Sequence, residues 1–316
     1  MTMAAPYWVF VAVVVLMTVR NGETVIDPNN LAPIVEEILN RYTPNYNGAN
    51  NNRIPPMFSV AVSVPYNEDK FDDGEAVRRK ILNCDVYKSD RVVAATVLRW
   101  PNVLTQCPDA QVQWDDVLKE CGKQQMTWAE VESLCGANTI KDGRADHAEF
   151  RTLQYVNTLV KSQNDLIVFY VRASPCDQRC TNEDNRWNIL TKIQDIMKWK
   201  DYVVVFSDVF RPRNGGPIPV NNLRGSLERL GNAIADPGSN GLQHIFRCYR
   251  QQKMKCFSCN DNGAVTDECV SDGKQPDSKL SDVGKSQDRG KKQNKSKKKQ
   301  RSNRQRGGVM RENHQN

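Results

Sequence analysis

Four side chains in the middle of the chain have the types and spacing to do chemistry: His147 and Glu149 in Asp146-His147-Ala148-Glu149, and Cys176 and Cys180 in Ser174-Pro175-Cys176-Asp177-Gln178-Arg179-Cys180. An imidazole and two thiolates are a donor set for a catalytic zinc, which takes three protein ligands and keeps one position open for water. One Zn2+ per chain is the cofactor this set implies. Glu149 follows the imidazole too closely to be a fourth ligand and is better placed to carry protons. Cys176 and Cys180 stand one helical turn apart, so a helix beginning near Cys176 would aim both at one point. Pro175 suits a helix start, and thiolates there are favoured by exposed amide dipoles. The competing reading is a disulfide between the two, since an i,i+4 pair can reach bonding distance. Only three histidines exist, which excludes a His-rich metal site, and no nucleophile-elbow pattern supports a Ser-His-Asp triad.

The elements around these residues must bring the two halves together. Leu31, Ile34, Val35, Ile38, Leu39 and Tyr42 form one apolar helical stripe, with Pro33 in the first turn. Phe58–Val64 alternates as a half-buried strand, and Arg91–Trp100 reads as a second strand, antiparallel to the first across a long connection. Residues 102–140 read as a cysteine-rich insertion in which Thr127 and Glu130 form a capping box. Asp146 can cap a helix running through Phe150, Leu153, Val156 and Leu159-Val160. Leu166–Val171 is a continuous apolar strand of a sheet covered on both faces. Trp187, Leu190, Ile193 and Met197 mark another helix, Tyr202–Phe206 a buried strand, and Leu223, Leu227 and Leu230 a helix ended by Gly231. Leu242–Tyr249 is an expected edge strand. Strands alternating with helices over 145–231 imply right-handed crossovers and a mostly parallel half-sheet, so the fold class is α/β. The strand between the two ligand groups starts both following helices at one sheet edge, where open α/β sheets bind ligands.

Both ends have a different character. Tyr7–Val19 is an almost unbroken apolar run, too short to span a bilayer comfortably, so residues 1–20 read as a secretory signal peptide cut near Met17–Glu23. No later segment is apolar enough to span a membrane. Ten cysteines in a secreted chain should be mostly paired. If Cys176 and Cys180 hold metal, the remaining eight suit four disulfides. The cluster Cys248, Cys256, Cys259 and Cys269 admits either disulfides or a zinc knot. From Lys285 onward the chain carries twelve Lys and Arg against Asp288 and Glu312, a net +10; against the whole-chain +7 this leaves −3 for residues 1–284. Residues 273–316 have almost no apolar side chains and read as a disordered basic tail. Its stretch 285–311 should bind polyanions such as nucleic acid or sulfated glycans by counterion release, blind to sequence for want of interleaved aromatics. Arg144, Arg151, Arg172, Arg179 and Arg186 lie near the chemistry in sequence and either steer phosphates or stand solvated.

The motif H-A-E followed by P-C-x3-C resembles the zinc deaminase signature H-x-E…P-C-x-x-C, one residue longer. At Ser174-Pro175-Cys176 the sequence is most similar to the AID/APOBEC branch of the cytidine deaminase superfamily. The secretory start and cysteine-rich body resemble the secreted AID/APOBEC-like deaminases of fish. The resemblance implies a three-layer αβα fold with a mixed five-stranded sheet over residues 21–272, disulfide-stapled, with a C-terminal cysteine cluster at 248–269. It implies His147, Cys176 and Cys180 as metal ligands, Glu149 as the general acid/base, and Ala148, Ser174 and Pro175 against the substrate. The implied reaction is hydrolytic deamination of cytosine, in a nucleoside or a single-stranded polynucleotide, by zinc-activated water attacking C4. Ala173 stands where that branch usually has a Trp, which removes an aromatic stacking surface. The alternative is a catalytically inactive, disulfide-rich extracellular factor of immune type that binds polyanions through its tail.

Overall fold

The computed structural model describes residues 18–20, 23–47, 53–54, 56–65, 71–136, 138–162, 164–212, 216 and 218–271. The expected signal peptide lies outside them except for Thr18–Arg20, which pair antiparallel with Glu23–Val25. The basic tail lies wholly outside them. The chain divides into one unit, Met1–Lys274, and a second, Gln275–Asn316.

The centre of the first unit is a mixed sheet of seven strands. They are β1 (Phe58–Val64), β2 (Tyr87–Lys88), β3 (Val92–Thr96), β4 (Leu166–Ala173), β5 (Asp201–Asp208), β6 (Ile245–Arg250) and β7 (Met254–Ser258), in the spatial order β7-β6-β5-β4-β1-β3-β2. Strands β4, β5 and β6 run parallel, and β1 pairs antiparallel with both β4 and β3. The five strands expected from the sequence form the middle of this sheet. The two additions are edges: two-residue β2 against β3, and β7, which turns back on β6 across the Cys248–Cys256 disulfide. Neither edge strand alternates in hydrophobicity.

The unbroken apolar run of β4 is explained by cover on both faces. Ile167, Phe169 and Val171 point into one core with Val204 and Phe206; Leu166, Val168 and Tyr170 point into the other with Val203 and Val205. The second core is closed by α1 (Pro28–Tyr42) and α2 (Gly74–Leu82), through Leu31, Val35, Ile38, Val77 and Ile81. Helix α1 starts at Pro28, earlier than its apolar stripe, so Pro33 sits beyond the first turn and forgoes one helical hydrogen bond. The other face is covered by three helices introduced below, which completes the αβα layering. Burying one large apolar side chain is worth roughly 1.5–3 kcal/mol, so these two cores dominate the stability of the unit.

The cysteine-rich segment forms a third, smaller core beside the sheet. Its main helix, α3 (Trp128–Cys135), carries the expected Thr127–Glu130 capping box. Trp100, Trp114 and Trp128 pack together, with Trp114 edge-on to Trp128 at a centroid distance of 5.0 Å. Cys84–Cys107 ties this core to the chain just beyond α2, and Cys121–Cys135 closes it internally.

Three local expectations are corrected. The helix expected from Asp146 to Val160 is the shorter α4 (Ala148–Leu153), followed by one 3-10 turn, Val156–Thr158. The helix expected to begin near Cys176 is a turn, and helix resumes only at α5 (Leu190–Ile193), past Trp187. Gly231 does not end its helix: α6 spans Val220–Ala233. Its lack of a side chain serves packing instead, because a Cβ there would press on Leu242 at 3.0 Å.

Candidate metal centre

His147 and Glu149 are delivered by a short ladder. Leu98–Arg99 pairs antiparallel with Ala145–Asp146, and the next residue, His147, takes the N-cap position of α4. Asp146 does not cap that helix. Its Oδ2 accepts the indole N–H of Trp114 at 2.9 Å, which pins the neighbour of His147 to the tryptophan core. Below it, Arg151 is 5% exposed and donates to the carbonyls of Thr96 and Cys84 and to Gln113 Oε1. Burial lowers its pKa to about 10, and those acceptors make it a structural cation rather than a phosphate reader.

The thiols come from the other half. Strand β4 ends at Ala173, and Ser174-Pro175-Cys176 turns over the sheet edge. The Thr181 N–H bonds the Cys176 carbonyl at 3.2 Å, five residues back, so the turn is one residue wider than an α-helical one. This is how x3 spacing still brings both sulfurs to one point. Helix α6 holds the turn from behind: Ser226 Oγ donates to the Pro175 carbonyl at 2.8 Å and meets Thr181 Oγ1 at 2.9 Å, while Arg229 Nε donates to the Thr181 carbonyl at 2.6 Å.

Together these supports assemble a tight cluster. His147 Nδ1 lies 3.1 Å from Cys180 Sγ and 3.8 Å from Cys176 Sγ, and the two sulfurs are 3.2 Å apart. Both cysteines are free thiols, and the other eight form four disulfides, the C-terminal cluster pairing as Cys248–Cys256 and Cys259–Cys269. Metal–sulfur bonds of about 2.3 Å and metal–nitrogen bonds of about 2.0–2.1 Å in a tetrahedral site imply ligand–ligand edges of roughly 3.5–3.8 Å. The triangle therefore needs only slight expansion, and His147, Cys176 and Cys180 could hold a metal ion. Glu149 Oε1 sits at its side, 2.8 Å from Cys180 Sγ and 3.5 Å from His147 Nδ1.

Without metal, so close a group shares its protons unevenly. The hydrogen bond with Cys180, aided by His147, outweighs burial and draws the Cys176 thiol down to about 5. Cys180, hydrogen-bonded with Cys176, buried, and facing the Glu149 charge, is pushed well above the usual thiol range. Burial works against charge on His147, but its hydrogen bonds and attraction to Cys176 and Glu149 prevail and lift it to about 10. Burial raises Glu149 while the His147 and Cys180 hydrogen bonds and the His147 charge lower it, for a net shift downward.

The cluster opens on a cavity of about 830 Å³ at the C-terminal ends of β4 and β5. His147, Ala148, Glu149, Ser174 and Cys176 line it; Cys180 is fully buried behind them. Pro175 is not among the lining residues. Ser174 is fixed rather than free, its N–H on the Asp208 carbonyl at 2.8 Å and its Oγ accepting the Phe210 N–H at 3.0 Å. Of the five arginines picked out in the sequence, Arg172 and Arg179 line the cavity. Arg144 instead pairs with Asp116 and lies over Trp114, and Arg186 lies over Trp187. Tyr46, Arg99, Phe210, Arg211 and Arg247 also line the cavity. Sequence reading missed them because they come from separate loops and strand ends with no shared spacing.

Comparison with known proteins agrees with this assembly. No curated protein and no solved structure matches the chain. The family model described as Secreted Novel AID/APOBEC-like Deaminase 1 matches residues 105–273, more than half of the chain. That span carries Trp114 and Trp128 of the tryptophan core, both halves of the metal centre and the three parallel strands. Four disulfides fit an extracellular protein, and no helix among the described residues is long and apolar enough to cross a membrane. On the strength of that match the chain belongs to the Secreted Novel AID/APOBEC-like Deaminase 1 family.

Proposed function

We propose that this protein is a secreted, zinc-dependent hydrolytic deaminase acting on cytosine in a nucleoside or a single-stranded polynucleotide. The observation that carries the reading is the joint position of one nitrogen, two sulfurs and the Glu149 carboxylate at the floor of an open cavity. A donor set of two thiolates and one imidazole with an open fourth position favours zinc, which when bound supplies a Lewis acid and brings the pKa of water at that position to about 7. Glu149 then has a proton to take and a proton to give. Glu149 as a residue is 8% exposed, too buried to trade protons freely with solvent, yet it lines the cavity where the base would sit. It takes a proton from the attacking water and returns it on the leaving side of C4. His147 and Cys176 hold the rim of the site, and Cys180 holds its base.

The test is ammonia release from cytidine, deoxycytidine, adenosine and single-stranded DNA by protein of known zinc content. Glu149→Gln should lower turnover by about 10²–10⁴-fold, the usual share of a positioned proton carrier, while retaining stoichiometric zinc. The charge of residues 285–316 favours a second reading, an inactive extracellular factor that binds polyanions through that segment. Full zinc with no ammonia from any of the compounds would select it.

A further inference from the structure

The cavity is larger than a nucleobase needs, and its wall is basic. At about 830 Å³ it stands toward the upper end of the roughly 300–1,000 Å³ that small-molecule sites occupy. Five arginines line it together with the carboxylates of Glu149, Asp177 and Asp208. Most of these charges have work within the fold. Arg247 is buried and donates to the carbonyls of Ser207, Glu268 and Ser271. Arg172 pairs with Asp208 at 3.4 Å and reaches the Pro56 carbonyl, Arg211 has a partner of its own, and Asp177 accepts from Asn222 Nδ2 at 2.9 Å.

Arg99 and Arg179 differ. The half-buried side chain of Arg99 makes no hydrogen bond or ion pair among the described residues. Arg179 donates from Nη1 to the Ala145 carbonyl at a long 3.3 Å and lies loosely over Trp187 at 5.9 Å. Both flank the same residue: Arg99 is the ladder partner of Ala145, and Arg179 bonds its carbonyl. Ala145 lies two positions before His147, so both arginines line the cavity from beside the strand that delivers the imidazole. A guanidinium held partly out of water without an acceptor is an incomplete arrangement. The anion whose oxygens match its planar fork, and which a nucleoside-type substrate can carry, is phosphate.

We propose that Arg99 and Arg179 form a phosphate-binding subsite of this cavity, so that the ligand is a phosphate-bearing nucleotide unit rather than a free nucleoside. The base portion of that ligand rests on the deaminase reading; the phosphate portion rests on the two arginines. A terminal monophosphate and a backbone phosphodiester offer the same oxygens and are separated by experiment.

Binding of cytidine, cytidine 5′-monophosphate and a short cytosine-centred single-stranded oligonucleotide is measured on the full Glu149→Gln chain, where turnover does not interfere. Ammonia release from the same three compounds is measured on the native chain. The phosphate-bearing compounds should bind at least about ten-fold more tightly than cytidine, and Arg99→Gln or Arg179→Gln should each remove about ten-fold of that preference, the size of one charge-assisted hydrogen bond. Arg99→Lys, which keeps the charge and loses the fork, should fall between. Monophosphate and oligonucleotide binding alike points to a terminal phosphate, and oligonucleotide alone to a backbone diester; either upholds the subsite. Equal affinity for all three compounds, or a preference unchanged in both glutamine variants, overturns it. The two readings fail separately. A phosphate preference without ammonia from any compound leaves the subsite and removes the deaminase, whereas equal ammonia release from all three, with no phosphate preference, does the reverse.

Discussion

At the scale of single residues, the metal-free cluster stores protons that a metal must expel. With His147 lifted to about 10, the imidazole is charged at pH 7; Cys180, pushed up, is a thiol; Cys176, drawn down to about 5, is already a thiolate. Ligation needs the neutral imidazole and both thiolates, so binding one metal ion at pH 7 should release two protons, from His147 and Cys180. The sign follows: affinity rises with pH through neutrality, by roughly two decades per unit. Below pH 5 Cys176 is protonated as well and a third proton joins, so the metal is lost steeply in acid. Calorimetric titration of the metal-free protein with zinc, in two buffers of different ionisation enthalpy, reads the number directly. A value of one would mean that Glu149 takes up one of the displaced protons, and zero would place the metal elsewhere. These four residues were legible in the sequence because their chemical types are rare together. Whether Cys176 and Cys180 hold metal or each other was not, since spacing allows both; the wide turn leaves the thiols free.

At the scale of elements, the centre depends on parts that carry none of its atoms. Trp114 belongs to the tryptophan core, yet its indole N–H fixes Asp146, which precedes His147. Trp114→Phe keeps most of the apolar volume and loses that bond. It should cost about 1 kcal/mol of stability while weakening zinc binding by about 10–100-fold, as losing an outer support of a ligand does. Chelator competition and thermal unfolding on the same protein separate the two effects. Stability loss with unchanged zinc affinity would show that the tryptophan core only folds itself. Trp128→Ala should instead cost about 3–5 kcal/mol by opening a cavity in the core, since Trp128 is fully buried. The central strands and α1 were readable from periodicity because each obeys one local rule. The Leu98–Arg99 ladder with Ala145–Asp146 was not, because it joins residues across the whole cysteine-rich segment and is only two residues long on each side. The same distance in sequence hid Arg99 and Trp114 from any motif.

At the scale of the whole molecule, the uneven charge along the chain predicts a division of labour. Residues 1–284 are slightly acidic at −3, while 285–316 carry +10, and the boundary between the two units falls after Lys274. Affinity of a basic segment for a polyanion comes from released counterions, so log K falls with log salt at about −0.7 per neutralised phosphate on a single strand. A chain ending at Lys274 should therefore lose most of that slope and bind single-stranded DNA or heparin far more weakly at low salt. Binding of cytidine 5′-monophosphate, which spans only the cavity, should keep its dependence on Arg99 and Arg179. Filter binding across a salt series and mononucleotide titration on both chains read these two quantities side by side. An unchanged salt slope would assign polyanion binding to the arginines around the cavity. Loss of the mononucleotide preference together with the slope would instead make the basic segment part of the site, so that the division of labour by charge would not hold.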